Sequence, residues 1–274
     1  MSNKPLKKHN VRIDTLLIDR EIVGSRKLAQ SYIISGNVLV NDKVVDKPGH
    51  KVSEDCDIRL KKPVEEEFVS RGGKKLKGAI ESFRIDVTGL TVLDAGASTG
   101  GFTDCLLQHG AARVYAIDVG YGQLAWRLRR DSRVVVMERV NARYLRELPE
   151  PVDLATLDVS FISLTLVLPA VMQILKPEGQ IISLIKPQFE AGPDQVGKGG
   201  VVKDPSVHHA VLCNVLDWAV ANGLRANRVI ASPLRGPAGN VEFFAHLTLG
   251  IPQPGPALHA MVDDCLASLS ADPG

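Results

Sequence analysis

LDAGASTGGFTD, residues 93–104, closes a short apolar run (TVLDAG, 91–96) and opens a helix-like one (101–110). Glycines at 96, 100 and 101 let the backbone approach a ligand closely, and a strand, a glycine turn and a helix in that order form the nucleotide-binding corner of a doubly wound sheet. The turn alone is a weak signal, since a tight turn needs glycine with or without a ligand. Two acids sharpen it. Asp118 ends the next strand, about 20 residues beyond the first glycine, where a carboxylate can accept both hydroxyls of a ribose. Asp94 ends the first strand and Asp104 lies just inside the helix. Carboxylates at a helix start repel a pyrophosphate but suit the ammonium and sulfonium of S-adenosylmethionine. With no G-K-[ST] phosphate anchor, the methyl donor is favoured over NAD, and a nucleoside triphosphate is disfavoured.

Outward from that corner, strands alternate with helices. RVYAID, RVVVME, VDLATLDV and QIISLIK read as strands, the stretches 101–110, 123–130 and 163–175 as helices. Asp204-Pro205 caps a long helix ending near Gly223, and NRVIAS with EFFAHLTL reads as a closing strand pair. The fold class is therefore α/β, a mostly parallel sheet of seven strands covered on both faces, over residues 70–250. The Pro-rich, then weakly amphipathic tail, 251–274, has no evident role.

The first 62 residues differ. They hold 13 Lys+Arg against 8 Asp+Glu, a net of +5, whereas the remaining residues hold 20 against 23. The overall +2 hides this asymmetry, which points to a small polyanion-binding module ahead of a mildly acidic body. RIDTLLIDR (12–20) places Ile13, Leu16 and Leu17 at helical spacing; Ser25 is a candidate N-cap for a second helix that Gly36 ends. NVLVNDKVV reads as two strands joined by a tight turn at Asn41-Asp42. KKPVEEE (61–67), with Pro63 and three glutamates, marks a linker set at 63–69. The four cysteines are dispersed, which fits a reducing compartment and neither a disulfide framework nor a zinc site. No signal core follows the basic start, and no apolar run reaches the ~20 residues of a membrane span. A cytoplasmic protein without metal or membrane partner is expected.

Four polar residues stand at the edges of apolar runs: Lys75 in SRGGKKL, Asp158 in TLDVSF, Lys186 in LIKPQFE and Glu242 in GNVEFF. Any one could be a surface charge. Together, at strand ends beside a methyl-donor turn, they suit deprotonation of a ribose 2′-hydroxyl, a poor nucleophile until its proton is removed. In that reading Lys186 is the base, Asp158 orients it, Lys75 adds positive charge, and Glu242 positions Lys75.

These motifs carry a resemblance. RIDTLLIDR with SRKLAQSYIISGNVLVND resembles the alpha-L RNA-binding domain of a small-subunit ribosomal protein and of pseudouridine synthases. The series SRGGKKL, LDAGASTGGFTD, DVGYGQL, LDVSFISL, LIKPQFEAG, VGKGGVVKD and GNVEFF resembles the TlyA family, historically called hemolysins, which are FtsJ-like ribosomal RNA 2′-O-methyltransferases. The resemblance implies a Rossmann-like class I methyltransferase domain behind a small α+β RNA-binding domain. It implies S-adenosylmethionine as donor, cytidine 2′-hydroxyls of ribosomal RNA as acceptors, and Lys75, Asp158, Lys186 and Glu242 as the catalytic tetrad. It further implies donor contacts from Asp94, Gly96, Ser98, Gly100, Phe102, Thr103, Asp118 and Asp158, with Asn141 beside the adenine, and RNA contacts from Arg12, Arg20, Ser25, Arg26, Lys27, Lys43 and Arg71. Two rival readings are a non-catalytic ribosome-assembly factor, which the intact acids and glycines disfavour, and a direct cytolysin, for which the chain offers no basic amphipathic or spanning helix.

Overall fold

A computed structural model of the chain describes residues 10–20, 22–23, 26–61, 67–250 and 255–271. The chain divides into two compact units, Met1–Glu66 and Glu67–Gly274.

In the first unit, β1 (Asn10–Arg12) leads into α1 (Ile13–Asp19), followed by α2 (Arg26–Ile34), β2 (Val38–Val40), β3 (Lys43–Val45), β4 (Lys51–Ser53) and β5 (Ile58–Leu60). Ile13, Leu16 and Leu17 recur at helical spacing and bury one face of α1 against Ala29 and Ile33 of α2 and the strand valines Val38, Val40 and Val45. β2 and β3 pair antiparallel across Asn41 (φ 47°) and Asp42 (φ 63°), the left-handed pair that a two-residue hairpin demands. β5 pairs with the other edge of β2, and β1 pairs with β4. The expected Ser25 cap lies outside the described residues.

The second unit runs α3 (Arg71–Phe83), β6 (Thr91–Ala95), α4 (Gly101–Gln108), β7 (Arg113–Asp118), α5 (Trp126–Arg129), β8 (Val134–Glu138), β9 (Val152–Leu157), α6 (Leu164–Ile174), β10 (Leu175–Ile185), α7 (Pro187–Glu190), α8 (Pro205–Ala221), β11 (Leu224–Ala231), β12 (Phe243–Leu249) and α9 (Gly255–Ala271). The seven strands lie in the order β11-β12-β10-β9-β6-β7-β8, with β12 alone reversed. One face of the sheet packs on α6, α8 and α9, the other on α3 and α4. Residues on both faces are consequently apolar, as in Val92-Leu93 and Ile181-Ile182, and the strands read as continuous apolar runs. All four cysteines are free and buried.

Two elements differ from expectation. The segment 123–130 is not a full helix: only Trp126–Arg129 make a helical turn, because Leu124 and Leu128 are both drawn into the core beneath Gly100. The tail is part of the fold. Leu258, Val262 and Cys265 form a buried stripe on α9 against α8 and β11, flanked by His209–Asp263 and His259–Asp217 pairs at 3.1 and 3.2 Å. Met261, Leu266 and Leu269 pack beside them, and Ala257, Ala260 and Ala267 spread apolar character around the helix, which blurs the stripe in sequence. Leu258→Ala is expected to cost about 2–5 kcal/mol of stability. Denaturant unfolding followed by tryptophan fluorescence measures this, since both tryptophans, Trp126 and Trp218, lie in this unit.

Candidate active site

The sheet order reverses between β6 and β9, whose C-terminal ends are adjacent, and loops leaving such a switch point in opposite directions open a crevice. Gly96, just after β6, has φ 86°, and a Cβ there would lie 2.6 Å from the carbonyl oxygen of Asp158. Any side chain would drive the two loops apart. A Cβ on Gly101 would likewise meet Ser70 Oγ at 2.2 Å and Gly73 N at 2.9 Å. The starts of α3 and α4 therefore abut, and Lys75, one turn into α3, reaches the rim.

Four residues expected at the crevice converge in two ion pairs. Lys75 Nζ donates to Glu242 Oε2 at 2.5 Å, both groups being buried. Lys186 Nζ sits 2.7 Å from Asp158 Oδ1 and donates to Ser160 Oγ at 2.9 Å. Asp158 and Lys186 directly follow the parallel strands β9 and β10; Glu242 directly precedes the reversed strand β12, which brings it to the same rim. Burial raises the Asp158 carboxyl above the usual range against the pull of Lys186 and Lys75, while Glu242 reinforces the rise. All four groups thus act on one another. Sequence reasoning missed two further participants, Ser160 and Gln188, which donates to Glu242 Oε1 at 3.4 Å. Both lie within two residues of a tetrad member, in LDVSF and KPQFE, and that adjacency was the available signal.

Beside the glycine turn, Asp118 braces two loops: Oδ2 accepts from Ser98 N at 2.8 Å and Oδ1 from Gly120 N at 2.6 Å. Ser98 is exposed in a left-handed conformation, φ 49°. Asn141 follows β8 and is exposed, its Oδ1 accepting from Arg143 N at 3.0 Å. Gly100 packs over Leu124 and Leu128.

The side chains of three residues expected beside the donor are engaged within the protein. Asp94 and Thr103 are fully buried and satisfy each other, the threonine hydroxyl donating to Asp94 Oδ2 at 2.6 Å, with Thr156 donating to Oδ1 at 3.3 Å. Phe102 is buried against Phe244, ring centroids 6.1 Å apart. With helices on both faces of β6, these side chains meet protein and hold the turn from behind. Asp104 also turns inward, accepting from Val69 N at 2.7 Å and from Arg127, so its charge is neutralised before it can reach a ligand. Burial, the largest influence on Asp94, pushes its carboxyl up to about 7.

Aromatic side chains stand exposed on loops of this rim: Tyr121, Trp126, Tyr144 and Phe161, the last 90% exposed. The Arg139 and Arg143 guanidiniums lie over Tyr121 and Tyr144 at 4.5 and 5.4 Å. Arg71, the first residue of α3, is exposed.

In the N-terminal unit, Arg12 grips buried Asp14 through both carboxylate oxygens at 2.9 and 2.8 Å, and Arg26 approaches the same group at 3.4 Å. The Arg12 contact holds the Asp14 carboxyl well below the usual range. Lys43 is exposed at the start of β3, and Lys27 lies in α2. Arg20 is exposed, and its guanidinium donates to the carbonyls of Cys56 (2.7 Å) and Glu54, tying the end of α1 to the β4–β5 turn. Among the described residues no helix is long and apolar enough to cross a membrane.

Comparison with known proteins accords with this geometry. Residues 68–249 match the FtsJ-like methyltransferase family, and residues 11–58 match the S4 domain. The chain is 48% identical to the 16S/23S rRNA (cytidine-2′-O)-methyltransferase TlyA of Mycobacterium tuberculosis, over 86% of this chain and 89% of that protein. It is 39% identical to Hemolysin A of Brachyspira hyodysenteriae, over 87% and 100%. A solved structure described as a hemolysin, from Streptococcus thermophilus, superimposes with a TM-score of 0.74 at 39% identity, covering 96% of this chain and 98% of that one. The chain belongs to the FtsJ-like methyltransferases, in the TlyA group that carries an S4 domain ahead of the catalytic one.

The buried Asp94 predicts a pH signature. A carboxyl whose folded pKa is raised to about 7 contributes stability that is full below its unfolded value near 3.9 and lost as pH rises through about 7. Stability of the wild type relative to Asp94→Asn should therefore fall by a few kcal/mol between pH 4 and pH 8. Parallel curves in denaturant titrations across that range would show that Asp94 titrates normally.

Proposed function

We propose that this chain transfers a methyl group from S-adenosylmethionine to the 2′-hydroxyl of cytidine in ribosomal RNA. The observation that carries this reading is the pairing of Lys186 with Asp158 and of Lys75 with Glu242 on the rim that also bears the glycine turn. A donor fits the residues present. Gly96 leaves a cradle that a Cβ would fill, and Asp118 offers a carboxylate beside it, already oriented by two backbone amides, for the ribose hydroxyls. Gly100, Ser98 and Asn141 complete the residues that would hold the donor. When bound, S-adenosylmethionine supplies an electrophilic methyl group.

The protein's own part is to make the ribose oxygen nucleophilic. In its neutral amine form Lys186 takes the proton from the 2′-hydroxyl and becomes the ammonium that Asp158 and Ser160 hold and orient. Lys75, held by Glu242, places a positive charge beside the hydroxyl and favours its deprotonated form. Low exposure of both lysines strengthens these electrostatic effects. Tyr121, Trp126, Tyr144 and Phe161 offer stacking faces for bases around a nucleotide presented to this rim. The N-terminal unit, with exposed Arg12, Arg26 and Lys43, supplies phosphate contacts, and cytidine as acceptor follows from the relative in Mycobacterium tuberculosis. The substrate places the enzyme in the cytoplasm, with ribosomal subunits.

Two measurements test this reading. Lys186→Ala should lose roughly 10²-fold or more in kcat with donor affinity nearly intact, and Lys186→Arg should be equally inactive because arginine keeps its proton near neutral pH. An active arginine variant would reduce Lys186 to a phosphate contact. In calorimetry, Asp118→Ala should weaken donor binding by roughly 1–3 kcal/mol; unchanged affinity would place the ribose elsewhere.

A further inference from the structure

Lys186 depends for its orientation on a loop that belongs to another strand. Asp158 is anchored by its own amide, which donates to Ala95 O at 2.9 Å, but residues 159–163 continue past the end of β9 without sheet pairing. Within that stretch lie Ser160, which accepts from Lys186, and Phe161, held at φ 61°. The stretch ends at the start of α6. There Glu190, from the turn α7 that follows Lys186, reaches across: its Oε2 accepts from Ser163 Oγ at 2.6 Å and its Oε1 from Leu164 N at 2.8 Å. Phe189 beside it meets the Phe161 ring at 4.8 Å.

A helix cap alone does not explain this carboxylate. Ser163 already caps α6, its hydroxyl accepting from Thr165 N at 3.2 Å. Glu190 is half-buried, and burial raises its carboxyl above the usual range despite the two donors. Through these two bonds the carboxylate joins two segments that the backbone leaves separate, and the N-terminal dipole of α6 favours it there.

We propose that Glu190 is a positioning residue for methyl transfer: by clamping the start of α6 to the turn after Lys186, it holds Asp158 and Ser160 against the Lys186 ammonium. This rests on the assignment of Lys186 as the base. Glu190 itself bonds to Ser163 and Leu164, so its loss is expected in the chemical step and not in binding.

The experiment compares Glu190→Ala, Glu190→Asp and Glu190→Gln in the full chain, with isolated ribosomal subunits and S-adenosylmethionine as probes. Glu190→Ala is expected to lower kcat at least about 10-fold, with KM for subunits and donor affinity within about twofold. Amide exchange at Leu164 should accelerate in the same variant. Glu190→Asp keeps the charge but is one methylene short, and should behave like alanine; it carries the test if the alanine variant does not fold. Glu190→Gln retains an acceptor for the Leu164 amide and should recover most of kcat and of the Leu164 protection. In a Lys186→Ala background, Glu190→Ala should cost nothing further, because both act through one group. Full kcat in Glu190→Ala and Glu190→Asp while Lys186→Ala is inactive would overturn the clamp alone. Additive losses in the double variant would also overturn it. Full kcat in Lys186→Ala would overturn the base assignment and the clamp with it.

Discussion

A lysine on the first helix of the catalytic unit and a glutamate before its last strand, 167 residues apart, meet at 2.5 Å with both groups out of water. Removing one partner of such a pair leaves an uncompensated buried charge, at a cost of about 3–5 kcal/mol. Lys75 and Glu242 therefore constrain the whole unit: α3, the sheet and the reversed strand β12 must assemble correctly before either charge is satisfied. An apolar pair would hold the fold as well or better. Placing two charges there makes sense where a hydroxyl must lose its proton.

The same economy recurs around the crevice. Gly96 allows the turn after β6 to run against the Asp158 carbonyl, and Asp118 ties that turn to the loop after β7. Lys186, Asp158 and Ser160 form the second charged group one strand further along. Three neighbouring strand ends thus carry donor side, acid and base in sequence across the rim. The reversal of β12 adds the glutamate from the opposite chain direction.

Much of this was legible in the sequence because it is set locally. The glycine turn, the Asn41-Asp42 hairpin and the four polar residues each sit at the end of an apolar run, and a strand end in a doubly covered sheet is where a polar side chain can escape the core. What was not legible is non-local. The mutual bond of Asp94 and Thr103 depends on helices packed on both faces of β6. The bonds of Arg20 reach carbonyls more than 30 residues away. The reach of Glu190 to α6 depends on packing that no periodicity reveals.

The central claim is that this rim activates a ribose oxygen. The most direct test incubates isolated ribosomal subunits with the chain and S-adenosylmethionine carrying a deuterated methyl group, digests the RNA to nucleosides and weighs them by mass spectrometry. The account predicts the label in 2′-O-methylcytidine, with fragmentation placing it on the sugar. Label on a base, or none transferred by folded protein that binds the donor, would contradict it.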